Sequence, residues 1–264
     1  MFFSRKFLYS IASFTTSVAC LAGMSAAASA MNFVPQEQGE INVGLGCLDP
    51  NACLTLDPIF ANITSLTDST SGTQSRLFVD YFGQGDQKLT YGSGDSKVQF
   101  KTKDAGTNSE GYWFRPSETE ADGGNEEKGQ LEVGTYLFEF SQAIAELTID
   151  FFDTESWNST GVMAINGEDI EHPDYVVGER KVKSNGKLGG FVDGNIVSQT
   201  FYNVSSLELK LGLDRQKGTG DGVNFQMSGV PAPQSVPEPA AAVGLMAIAG
   251  LGLARKQKAK TAAS

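Results

Sequence analysis

The sequence predicts an all-β fold, a single antiparallel β-sandwich of jelly-roll type, on three observations. Apolar residues recur with period two. Leu147, Ile149 and Phe151 share one face of 146–152, and Leu207, Leu209, Leu211 and Leu213 alternate with polar partners. Clusters such as Gly83-Gln84-Gly85-Asp86, Gly92-Ser93-Gly94-Asp95 and Gly218-Thr219-Gly220-Asp221-Gly222 have turn chemistry. Between residues 31 and 229 no apolar stripe has helical spacing. Short strands parted by polar turns make sandwiches, and a body of this length buries a sizeable core.

Each element follows from local chemistry. Arg5 and Lys6, an apolar stretch over 7–21 and the small residues Ala28-Ser29-Ala30 have the layout of a secretory signal peptide, with cleavage expected after Ala30. The segment 32–72 is rich in Asn, Thr and Ser; it predicts one edge strand at 40–43 and then an irregular loop. Strands are predicted at 76–82, 97–102, 111–114, 135–140, 146–152, 162–165, 196–202, 206–213 and 223–227. The run 118–129 is too acidic to bury. The body thus occupies 31–229, followed by an extended Pro-rich linker over 230–239. The last segment, 240–264, is an apolar run to Ala254 ending in Arg255 and Lys256, then Gln257-Lys258-Ala259-Lys260. The apolar run, 240–254, is shorter than the roughly 20 residues that a helix needs to cross a bilayer. The basic end stays cytoplasmic, so transient anchoring in the inner membrane is expected.

Of the twenty Lys and Arg, two lie in the leader and four in the tail. The fourteen that remain face all thirty-one Asp and Glu, a formal charge of −17 over 31–239. Such a charge argues against nucleic acid as a partner and favours cations or cationic surfaces. Cys20 departs with the leader, which leaves Cys47 and Cys53 as a pair in an exported chain, and a disulfide is the natural expectation. A two-thiol metal site is the alternative, weakened by a single distant histidine.

Val236-Pro237-Glu238-Pro239, the short apolar run and the basic end resemble the PEP-CTERM sorting signal of Gram-negative bacteria. That resemblance implies an exosortase-type membrane protease as partner, cleavage near Pro237 to Pro239, and a destination on the cell surface or in the extracellular matrix. Leu131-Glu132-Val133-Gly134, with the strand after it and Phe151-Phe152-Asp153-Thr154-Glu155, is similar to the LEVG subgroup of those proteins. The resemblance implies no activity; exopolysaccharide is the ligand class it brings into view.

The body contains no Gly-x-Ser-x-Gly, His-Glu-x-x-His or P-loop, and enzymatic function is not expected. His172, in Glu171-His172-Pro173, is expected in a loop as a bystander. Paired carboxylates alone run glycoside hydrolysis, for which Asp150, Asp153, Glu155 and Asp221 are the available acids. Calcium is the candidate cofactor, with Asp153, Glu155, Asp214 and Asp221 as oxygen ligands, although no EF-hand spacing is present. Tyr112, Trp113 and Trp157 are candidate stacking rings for a carbohydrate, and either tryptophan serves equally as core. Three sequons, at Asn62, Asn158 and Asn203, are chance matches in a bacterial chain.

Overall fold

The computed structural model describes residues 29–68, 72–83, 89–93, 96–100, 110–119, 133–154, 156–192, 194–212 and 223–233. Within them the chain is all β, with no helix. The strands are β1 (Met31–Asn32), β2 (Gly39–Ile41), β3 (Cys53–Leu54), β4 (Phe60–Leu66), β5 (Ser75–Phe82), β6 (Leu89–Ser93), β7 (Ser96–Phe100) and β8 (Gly111–Glu118). There follow β9 (Gly134–Phe152), β10 (Thr160–Ile165), β11 (Glu168–Val176), β12 (Arg180–Val182), β13 (Leu188–Phe191), β14 (Ile196–Leu211) and β15 (Asn224–Pro231). Residues 1–28, most of the expected leader, and 234–264, the rest of the expected linker and the tail, lie outside the described residues.

Two long strands organise the sheet. β9, 19 residues long, pairs along one edge with β14. Along its other edge it changes neighbour, taking β4 for its first third and β15 from Ile144 onward. The sheet therefore runs β11-β10-β14-β9, divides, and continues on one side through β15-β8-β5-β2-β3. The two arms face each other. Phe60 on β4 meets Phe114 on β8 at 6.4 Å, and Phe138 on β9 meets Phe225 on β15 at 5.9 Å, although neither pair is joined by backbone hydrogen bonds in register. Ring edges and faces interlock across this interior, which is the favoured geometry for aromatic pairs. Pairings are antiparallel except β2–β3, which is parallel.

A further hairpin, β6–β7, covers the outer face of β5 and β8. Tyr91 and Phe100 lie 4.6 and 5.2 Å from Phe78, ring centre to ring centre. Arg115 sits 4.0 Å over the Phe100 ring and 2.8 Å from the Asp80 carboxylate. A charge so buried is tolerable only when paired and packed in this way.

Several expectations need correction. The irregular loop within 32–72 contains β4, paired with β9 with one register shift between Phe60 and Asn62. The strand predicted at the edge, β2, is buried between β5 and β3. His172 lies within β11, not in a loop, and Pro173 suits that outermost strand because it has no donor to offer. The linker begins later than predicted: β15 runs to Pro231, and Ala232 still donates to the Ala143 carbonyl at 2.8 Å.

Candidate functional site

The functional geometry gathers where β9 ends. Asp153 adopts a left-handed φ of 61°, turning the chain out of the sheet. Its backbone N–H donates to the Asn195 carbonyl at 2.8 Å, and its Oδ1 accepts from the Gly194 N–H at 2.8 Å. Asn195 then acts as a clasp. Its Oδ1 accepts from the Thr154 N–H and hydroxyl at 3.3 and 2.8 Å, while its Nδ2 donates to the carbonyls of Thr154 and Val192 at 3.3 and 2.9 Å. The Gly178 N–H donates to the Thr154 carbonyl at 2.9 Å. A Cβ at Gly178 would lie 2.1 Å from the Asn195 amide carbon, so only glycine leaves room for the clasp.

Two features stand on this base. One is Trp157, 63% exposed, on the turn that leads to β10. The other is the ribbon β12–β13, which among the described residues pairs with no strand of the main sheet. In the ribbon Val182 faces Leu188, and both are exposed, at 70% and 58%. The Lys183 N–H donates to the Lys187 carbonyl at 2.8 Å, which puts that pair on the opposite face. Gly189 shares the lysine face, since a Cβ there would lie 3.4 Å from Lys183 Cε and 3.5 Å from Lys181 Cβ. The ribbon therefore has one face of Lys181, Lys183 and Lys187 and one of Val182 and Leu188. Exposed aromatic and cationic groups can stack on sugars and pair with acids.

The predicted aromatic set is not assembled. Trp113 is 1% exposed, its ring 5.8 Å from Phe152 and clustered with Phe82, so it props the end of β9 from inside and offers no face to a ligand. Burying so large an apolar group outweighs displaying it. Tyr112 is partly buried and packs on Tyr81 at 4.9 Å. Of the predicted calcium set, Glu155, Asp214 and Asp221 lie outside the described residues. Asp153 is engaged by Gly194, and among the described residues no three His, Cys, Asp or Glu converge. Asp150 accepts a hydrogen bond from Ser198. Pro237, Glu238, Pro239 and the basic Arg255 and Lys256 are likewise outside.

The disulfide between Cys47 and Cys53 is formed, with Cα atoms 5.8 Å apart. It ties the loop that separates two shallow grooves of about 460 and 540 Å³, one lined by Glu40, Leu48 and Tyr91 and the other by Gln36, Gln38 and Leu54. Glu40 bonds Arg76 at 2.7 Å and accepts from the Leu48 N–H at 2.6 Å. Burial raises its carboxyl above the usual range, opposed by those two donors. Sequence reasoning missed this pair and Asp80–Arg115, yet a signal existed. β5 places Phe78 and Phe82 on the same face as Arg76 and Asp80, so both faces of that strand are apolar enough to be covered.

Comparison with family models, with curated proteins and with solved structures returns no match to this chain.

Proposed function

We propose that this chain is an exported protein of the cell surface or extracellular matrix, with a structural or adhesive role in a biofilm, delivered by an exosortase-type membrane protease. The observation that carries the reading is the terminal order Val236-Pro237-Glu238-Pro239, short apolar run, basic end, combined with a leader that ends Ala28-Ser29-Ala30. The prolines keep the cleavage segment extended, and the positive charges hold the far end in the cytoplasm. An all-β body tied by one disulfide suits an oxidising exterior. A carbohydrate-binding role narrows to Trp157, the member of the aromatic trio with an exposed ring.

The test is the intact mass of protein recovered from the native cell surface and medium. Loss of residues 1–30 together with a cut near Pro237 to Pro239 is the expected result. A chain that keeps its tail through Ser264 removes the sorting reading and leaves an ordinary membrane anchor.

A further inference from the structure

We propose that the β12–β13 ribbon is a docking surface for an acidic polysaccharide, with Lys181, Lys183 and Lys187 as charge contacts and Trp157 as a stacking ring at its base. The inference deepens the matrix reading and rests on it for its setting.

Charge is segregated in this molecule. Four of the fourteen cations of the body fall within 180–187, a run without an acid, although residues 31–239 together carry −17. Local fields matter here, because charges more than about 8 Å apart are largely screened at physiological salt. Three of the four cations stand on one face, exposed, and among the described residues none of those three makes an ion pair. Arg180 is turned to the structure, its Nε donating to the Gly189 carbonyl at 3.0 Å.

Repulsion among the lysines should destabilise the ribbon when it is empty. Like charges on facing strand positions are unfavourable, and an isolated two-stranded ribbon is marginal by itself. A polyanion relieves that repulsion. Lys181 and Lys183 are two residues apart along a strand, about 7 Å, which matches charges repeated along a polymer better than one small anion. The lack of a side chain at Gly189 leaves open the floor that Lys183 crosses. Trp157 supplies what a sugar polymer recognises and a bare polyphosphate does not: an exposed ring, three residues along the chain from Thr154, which is clasped to the ribbon base by Gly178 and Asn195.

The experiment measures binding of the purified full-length protein to immobilised polyuronate, with a neutral glucan and inorganic polyphosphate as comparators, across a salt series. The triple variant K181Q/K183Q/K187Q is exposed at every position, and a urea midpoint equal to wild type establishes that it folds. It leaves the basic tail untouched, so lost binding isolates the ribbon. The expected result is at least about tenfold weaker polyuronate binding with a shallower salt slope, since each cation–anion contact removed lowers that slope. Trp157→Ala is expected to weaken polyuronate binding and to spare polyphosphate. The proposal is overturned if wild type ignores polyuronate, if the triple variant binds as tightly, if Trp157→Ala has no effect, or if sedimentation shows a second copy of the chain occupying the ribbon. Intact mass of exported protein is independent of all these outcomes, so failure of docking and failure of export are distinguishable.

Discussion

Arg115 decides whether the outer face of β5 and β8 can be covered at all. Its guanidinium lies 2.8 Å from the Asp80 carboxylate, with both groups buried, and 4.0 Å above the Phe100 ring of the hairpin. Gln38 also donates to Asp80, at 3.1 Å. Burial raises the Asp80 carboxyl above its ordinary 3.8, and Arg115 is the chief opposing influence. A carboxyl raised in the folded state favours folding when protonated. Its contribution is fully present below 3.8 and is lost as pH rises through the folded value. Arg115→Met keeps the apolar stem and strands Asp80, so it is expected to cost about 3–5 kcal/mol near neutral pH. That deficit should shrink toward about pH 5, where more of the orphaned carboxyl is protonated. Urea unfolding at the two pH values tests this; equal deficits would assign the loss to packing against Phe100 instead of charge.

At the scale of elements, β15 is held between β1 and β9 at a point where no side chain fits. A Cβ at Gly229 would stand 2.5 Å from the Glu146 carbonyl oxygen and 3.1 Å from the Phe33 ring. Gly229→Ala is therefore expected to cost about 1–3 kcal/mol by overpacking. Amide exchange should quicken first at β1, the two-residue strand opposite Gly229. A variant with unchanged melting would mean that the backbone yields at no expense. The same elements mark what could be read from sequence. Period-two alternation found the residues of β9 and β14, but as two strands each. The bends at Ser141–Ala143 and Val204–Ser206 interrupt the alternation while the chain stays in the sheet. β4 was illegible because Asn62 and Thr64 dilute the apolar signal of Phe60, Ile63 and Leu66, and its pairing with β9 is made across 70 or so residues of chain. The Cys47–Cys53 bridge was legible from residue type and the expected compartment. The site was legible only in part. Trp113 and Trp157 look alike in sequence, and burial of one and exposure of the other depend on the partners that Phe82 and Phe152 supply from distant strands. The lysines of 181–187 carried a compositional signal, but their common face depends on the ribbon's register.

For the whole molecule, the decisive arrangement is that both ends of the described body leave from one corner. Met31 pairs with Gly229 and Asn32 with Ser228, so the first residues after the expected leader lie beside the last strand before the linker. Phe33 anchors that corner, buried and 6.2 Å from Phe60. A protein tethered through its tail would thus carry the β12–β13 ribbon, which stands outside the main sheet, on a segment remote in sequence from both ends. This geometry predicts that the natural ends can be joined and new ones opened elsewhere. A permuted chain linking Pro233 to Met31 through about six Gly and Ser residues, a reach of roughly 13 Å, should close the gap. New ends between Asn185 and Gly186 fall at the exposed tip of the ribbon, where Gly186 holds a φ of 76° and no main-sheet pairing is cut. Stability within about 1 kcal/mol of the parent is expected, because the joined loop is short and the opened turn carries little of the core. Its urea midpoint and its polyuronate binding separate two contributions. A permuted chain that folds normally but binds weakly shows that the closed ribbon presents the lysines, whereas one that fails to fold shows that the β1–β15 corner needs its free ends.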